Sequence, residues 1–319
     1  MTLEEDPAWV PAAVHCRGSG PVVEWRRVGE RRFTDPFFCD TIQAANDAAR
    51  HETTLEQLDA IAAASDPLPP VGFIFHLSRC GSTLLTQMLA QLPQHIVLSE
   101  PGPVNDILWP EAPLAEESRR ITWLRGMLAV LGRRRYPGEA RVFVKFDAWH
   151  TLDWPLIRAA YPDVPWIFVY RDPVEVLVSH AGSPGSQMIP GILDAERLGV
   201  VRPPWTEAGL RTYAGQVLAR IAGAALENTD AAGRLVHYQE LPAALSGILR
   251  HFNTTVTPGE LTQMLAAAAH HSKHPARAYS PDSALRQAQA TPEMRSLAEE
   301  YAGALYAELE ARRRAQPPL

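Results

Sequence analysis

From residue 71 onward, short apolar runs alternate with segments of helical period, and that alternation leaves very few architectures open to the chain. The runs are VGFIFH (71–76), HIVLS (95–99), RVFVKF (141–146), WIFVY (166–170) and RLVHY (234–238). Between them lie helical patterns at 82–92, 118–131, 153–160, 173–180 and 206–227. Strands that alternate with helices have the crossovers a parallel sheet requires, and helices then cover both of its faces. The expected fold is α/β, with a central parallel sheet and a helical C-terminal part at 241–252, 258–270 and 291–314. In the last of these, Met294, Leu297, Ala298, Tyr301, Leu305 and Leu309 form one stripe at helical spacing, a core face rather than a site.

Residues 1–64 follow a different pattern. They hold a strand candidate at VVEWRRV, the stretch RFTDPFF, and helical signal through TIQAANDAA and LEQLDAIAAA, and the prolines of SDPLPP then mark a linker. The expected division is a small N-terminal appendage (1–64) and a catalytic domain (71–319), which 319 residues are enough to build. A formal charge of −6 excludes a broad nucleic-acid surface but allows a local basic pocket. No run of about 18 apolar residues suggests a membrane span. The start MTLEEDPAWVP is acidic and broken by proline, unlike a signal peptide, and Cys16, Cys39 and Cys80 fit neither a disulfide framework nor a zinc pattern. A cytoplasmic protein is expected. Of the 30 basic residues only Lys145 and Lys273 are lysines, which draws attention to both, since a compact ammonium does what a planar fork does not.

The run FIFHLSRCGSTLLTQML (73–89) passes from strand to turn to helix. Such a turn points backbone N–H groups and the positive end of a helix dipole at one place. Gly81 lets the backbone come close to an anion, and Ser82 and Thr83 add hydroxyl donors, so the turn reads as a phosphate cradle. It is not a Walker loop, because serine follows the glycine where a lysine is required. Further on, WIFVYRDPVEVLVSH places Arg171 at a strand end and Ser179 eight positions later, two helical turns along. Arg171 can offer a fork to phosphate oxygens and Ser179 one further bond.

Together, S-R-x-G-S-T-L-L after a strand and the Arg171–Ser179 pair resemble the two phosphate motifs of sulfotransferases that use 3′-phosphoadenosine 5′-phosphosulfate. The spacing is nearest to that of the protein-tyrosine branch. The resemblance covers residues 71 to about 310 and implies a P-loop-type core. It implies that Arg79, Cys80, Gly81, Ser82, Thr83 and Leu84 hold the 5′-phosphate and that Arg171 and Ser179 hold the 3′-phosphate. Tyr238, in LVHYQELPAALSGILRHFN, would lie near the adenosine; a buried structural tyrosine is the other reading. The product would be adenosine 3′,5′-bisphosphate, and no metal is implied. The acceptor would be a hydroxyl or amine of a small molecule or peptide. A magnesium-dependent phosphotransferase on a related core and a non-catalytic nucleotide-binding relative are the alternatives.

Sulfuryl transfer needs a base for the acceptor and cations for the leaving phosphate. Glu100, ending HIVLSE, is the first candidate for the base, on a strand expected to neighbour the loop strand; its distance from Arg79 is similar to that of the glutamate base in the protein-tyrosine branch. His76, His150 and His180 are its rivals. Lys145 ends RVFVK, where a lysine can meet the leaving oxygen, and Arg79 is its partner in that task. In HHSKHPARAYSPDSALR (270–286), Ser272, Lys273 and Arg286 are candidates for a loop folded over the nucleotide. His270 and His274 at i,i+4 have no third ligand pattern beside them. Residues 181–205, rich in glycine and proline, are either a surface insert or a lid over the cleft. Trp109, Trp149, Trp154 and Trp205 are candidates for an aromatic acceptor wall, or for core. Acceptor identity and oligomeric state are not encoded in any recognisable motif.

Overall fold

The computed structural model describes residues 3, 5–17, 20–45, 49–65, 67–110, 116–271, 274–278 and 282–319, with backbone only over 270–278. The N-terminal part is a three-stranded antiparallel sheet, β1 (Trp9–Arg17), β2 (Gly20–Arg27) and β3 (Arg50–Thr54), with α1 (Phe38–Gln43) and α2 (Leu58–Ala63). The helix expected through 41–49 and onward is thus cut by a strand. The Trp25 indole, wholly buried, donates to Thr53 Oγ1 at 2.9 Å, and pairing with β2 overrides the helical propensity of the neighbouring alanines.

The main sheet contains β4 (Pro70–His76), β5 (His95–Ser99), β6 (Arg141–Lys145), β7 (Trp166–Tyr170) and β8 (Gly233–His237), each beginning or ending within one residue of the apolar run that predicted it. All neighbours are parallel and the order is β5-β6-β4-β7-β8. The connecting helices are α3 (Ser82–Leu89), α4 (Gly102–Leu108), α5 (Glu117–Leu131), α6 (Trp154–Ala160), α7 (Pro173–Gly182), α8 (Ala195–Leu198) and α9 (Glu207–Glu227). Beyond β8 come α10 (Leu245–His251), α11 (Pro258–Ala266), two short strands and α12 (Ser283–Gln289). The last segment is α13 (Pro292–Ala298), a π-helical turn at Glu299–Gly303 and α14 (Ala304–Ala315). On its predicted stripe Met294, Ala298 and Leu309 are buried.

Alternate residues of each strand feed two separate cores, as a sheet covered on both sides demands. Phe73, Phe75, Val142, Val144, Trp166 and Phe168 face the side that carries α5, α9 and the N-terminal sheet. Ile74, Val97, Phe143, Ile167 and Val236 face the side packed with Leu84, Leu85, Met88 and Leu89 of α3 and with α10. The connection from β4 to β5 runs toward one edge of the sheet, and the one from β6 to β7 runs back across β4 toward the other, so the direction of winding changes beside β4. The crevice outside the carboxyl ends of the strands at such a point is where open α/β sheets bind ligands. Among the described residues, no helix is long and apolar enough to cross a membrane.

Candidate active site

The carboxyl end of β4 enters a tight turn in which Ser78, Arg79 and Gly81 all take left-handed backbone, with φ of 75°, 51° and 87°. Successive turns of this kind form a concave array of amides, and Gly81 is also the residue before the first turn of α3. Gly81 is needed for a second reason: a Cβ there would lie 2.9 Å from the Tyr238 ring and 3.2 Å from Leu241 Cδ1. A valine would combine left-handed strain with a displaced Tyr238. If the turn cradles a nucleotide phosphate as the sequence resemblance implies, Gly81→Val is expected to abolish nucleotide binding, read by calorimetry, and Gly81→Ala to weaken it less. Unchanged affinity in the valine variant would remove the turn from the binding surface.

This turn forms one wall of a cleft of about 550 Å³ lined also by His76, Glu100, Asp147, Trp149, Arg171, Ser179, Tyr238 and Arg286. Cys80, Ser82, Thr83 and Leu84 line it as well. The Cys80 thiol is wholly buried and donates to the Val169 carbonyl at 3.0 Å, and burial pushes it up to about 11. It is a packing group and not a nucleophile. Arg79 reaches across the cleft mouth to the Ser183 carbonyl and hydroxyl, fastening the 181–205 connection to the turn. That connection is ordered, with a 3₁₀ turn at Ser186–Met188 followed by α8, and Gly185, Ser186 and Gln187 line the cleft.

Glu100 does not lie on a strand next to β4, because β6 intervenes. It still arrives beside the loop, since its backbone turns left-handed (φ 55°) directly after β5 and its N–H donates to the Lys145 carbonyl at 2.8 Å. A non-glycine residue held in this conformation stores strain of the kind concentrated at functional sites. Its Oε1 lies 2.9 Å from Lys145 Nζ and 3.3 Å from His76 Nε2. Burial alone would raise the Glu100 carboxyl, but Lys145 and then His76 hold it well below the ordinary carboxylate range.

Lys145 is fully buried and lies beneath the cleft rather than on its wall. Besides Glu100 its ammonium donates to Thr83 Oγ1 at 3.2 Å, and it sits 5.0 Å from the centre of the Phe37 ring. His76 Nδ1 accepts the Ser78 N–H at 3.0 Å, so its proton resides on Nε2, toward Glu100. His150 is buried; its Nδ1 accepts the Asp147 N–H and its Nε2 donates to Asn105 Oδ1 at 3.1 Å. Burial pulls it down to about 3. His180 Nδ1 accepts the Gly185 N–H and the ring lines a separate apolar cavity. Of the four proposed bases, then, only Glu100 and His76 reach the cleft.

Arg171 is buried, with Nε to Glu175 Oε2 at 2.5 Å, Nη2 to Asp282 Oδ1 at 2.7 Å, and its guanidinium 4.0 Å above the Tyr238 ring. Ser179 lies on the same wall. Ser272 and Lys273 lie outside the described residues, while Arg286 lines the cleft. Of the tryptophans only Trp149 does; Trp154 stacks on Phe75 at 4.2 Å in the core, Trp109 bonds to Asp153, and Trp205 is exposed at the other cavity.

Three cleft residues escape a reading of the sequence. Phe37 comes from the N-terminal part, where only tertiary packing reveals its direction. Asp147, two residues past Lys145, is raised well above the carboxylate range by burial and then by Glu100. Asp282 sits in the same segment as Arg286 but has no motif of its own.

No family model matches the chain, and no curated protein does. Among solved structures it is similar to a sulfotransferase from Mycobacterium avium, at 14% identity over 78% of this chain and 81% of that one, with a TM-score of 0.49. It is similar also to a sulfotransferase from Alicyclobacillus acidocaldarius, at 14% identity over 77% and 96% of the two chains, with a TM-score of 0.44. A sulfotransferase from Mycobacterium tuberculosis matches at 17% identity over 76% and 78%, with a TM-score of 0.41.

Proposed function

We propose that the chain is a sulfotransferase that moves a sulfuryl group from 3′-phosphoadenosine 5′-phosphosulfate to a hydroxyl or amine of a small molecule or peptide. The observation that carries this reading is the meeting, in one cleft, of the 78–84 turn, the Arg171–Ser179 wall and a carboxylate, Glu100. The cleft fits the donor in kind: the amides and hydroxyls of the turn share it with the Arg171 guanidinium and the Tyr238 ring, both packed close to that turn. When bound, the donor would supply an SO3 group already activated on a phosphate. The 78–84 turn would hold its 5′-phosphate, with Arg171 and Ser179 on the 3′-phosphate and Tyr238 and Arg286 beside the nucleoside.

Glu100, kept ionised by Lys145, takes the acceptor proton on the carboxylate oxygen that the ammonium leaves open. Lys145 acts from below, fixing Glu100 and Thr83 in one geometry. Arg79 supplies the planar cation at the cleft mouth. This division answers why the turn carries an arginine before its glycine and no Walker lysine after it, since a sulfuryl donor has no third phosphate for a lysine to reach. Adenosine 3′,5′-bisphosphate should raise the melting temperature where ATP with magnesium does not; the opposite ranking would favour phosphoryl transfer and end the proposal.

The bisphosphate should also bind more than about thirtyfold tighter than adenosine 5′-phosphate, the worth of two charge-assisted bonds. Arg171→Lys, which keeps a charge beside Glu175 but gives up the fork, is expected to erase most of that gap in calorimetry. Equal affinities for the two nucleotides in the parent protein would sink the 3′-phosphate assignment.

A further inference from the structure

Asp282 stands at the start of α12 yet makes no side-chain cap to it. Its carboxylate turns away from the helix amides and into the cleft. There Oδ1 accepts from Arg171 Nη2 at 2.7 Å and from the Tyr238 hydroxyl at 3.3 Å, and Oδ2 accepts from Arg286 Nε at 3.0 Å. One carboxylate thus takes donors from a strand end, a 3₁₀ turn and its own helix, the convergence that a bound anion would command. Burial works to raise Asp282, but Arg171 and then Arg286 hold it below the ordinary carboxylate range.

The other acid on Arg171 is different in kind. Glu175 is as buried as the arginine, each side chain being 5% exposed, and it is braced by the Ser283 hydroxyl at 2.9 Å and by Gln287. Asp282 keeps 30% of its side chain in contact with solvent on the cleft side. Glu175 therefore orients the fork permanently, whereas Asp282 occupies the face of it that opens to ligand.

From this we infer that Asp282 is the protein's own ligand in the anion site at Arg171, and that an incoming phosphate must exchange with it. Entry of nucleotide then displaces the carboxylate from Arg171 and Arg286 and frees the first turn of α12 from the Tyr238 wall. The inference rests on the proposed function for the identity of the phosphate, but not for the exchange itself.

Calorimetry on the full chain and on Asp282→Asn, with adenosine 3′,5′-bisphosphate, adenosine 5′-phosphate and pyrophosphate as probes, tests it. The Asn variant keeps the shape and loses the charge, so bisphosphate affinity should rise about tenfold or more. Adenosine 5′-phosphate should not gain. The ligand-free variant should melt lower than the parent and recover the difference when bisphosphate is added, because the phosphate replaces the missing anion. Where the parent binds the bisphosphate, equal or weaker binding by the variant overturns the exchange. If neither protein binds the bisphosphate while pyrophosphate gains affinity in the variant, the exchange stands and the nucleotide assignment falls; if no probe gains, the exchange falls.

Discussion

Glu100→Gln is expected to lower turnover by about 10²–10⁴-fold, the range for a positioned general base, while nucleotide affinity stays level or rises slightly. The amide fills the same space between Lys145 and His76 but cannot accept a proton from the substrate. Because Lys145 and His76 hold the parent carboxyl well below the ordinary carboxylate range, Glu100 is ionised throughout any usual assay. The parent's acid limb should accordingly lie below that range, and the variant's residual activity should lack it. Donor hydrolysis or transfer to a generic phenol serves as the readout. Full activity in the Gln variant would exclude Glu100; of the histidine rivals, only His76 lines the cleft to take its place.

Lys145→Met is expected to cost about 2–4 kcal/mol of stability and roughly 3–6 °C in melting temperature. The estimate sits below the usual figure for breaking a buried pair because Glu100 keeps 21% of its side chain exposed to the cleft. Methionine fills the volume, so the loss reports on charge. The sign with pH follows from the depressed Glu100 value. Its contribution to the parent is complete above the ordinary carboxylate range and is lost as pH falls through the lower folded value. The gap between parent and variant should therefore be widest near neutrality and should close on acidification. Turnover should fall as well, with the acid limb moving up in pH as Glu100 loses its ammonium. A methionine variant as stable and active as the parent would show that the pair holds nothing together.

Much of this was written plainly in the chain. The strands were legible because a sheet buried on both faces needs unbroken apolar runs, which few other elements tolerate. The turn at 78–84 and Arg171 were expected to share a site because glycine, hydroxyls and arginine stand at fixed offsets from strand ends, and the structure brings them to one cleft. Glu100 was expected beside the loop for a reason that held only in part: its strand is not β4's neighbour, and a left-handed residue makes up the distance. Lys145 was singled out by its rarity, but its depth was not foreseeable, because a strand-end lysine reads alike whether its ammonium points into a cleft or under it. β3 was hidden by the alanines around it and exists through its pairing with β2. The acids Asp147, Glu175 and Asp282 leave no periodic trace, since their meaning lies in partners far away in sequence.

The Phe37 ring over Lys145 has a consequence for how this protein can be altered. Residues 31–38 are stitched to the sheet domain by Arg32 on the Ala90 and Leu92 carbonyls, by the Gln87 amide on the Thr34 carbonyl, and by the Ser99 hydroxyl on the Pro36 carbonyl at 2.9 Å. A shortened chain beginning at the SDPLPP linker would keep every strand of the parallel sheet, the 78–84 turn and the Arg171–Ser179 wall. It would nonetheless open a water path to the Lys145 ammonium, which the fold keeps dry. The charge balance at Glu100 is thus partly the property of a segment that precedes the first strand of the sheet by more than thirty residues, and exchange of that segment between related chains would retune that carboxylate without touching the Arg171–Ser179 wall.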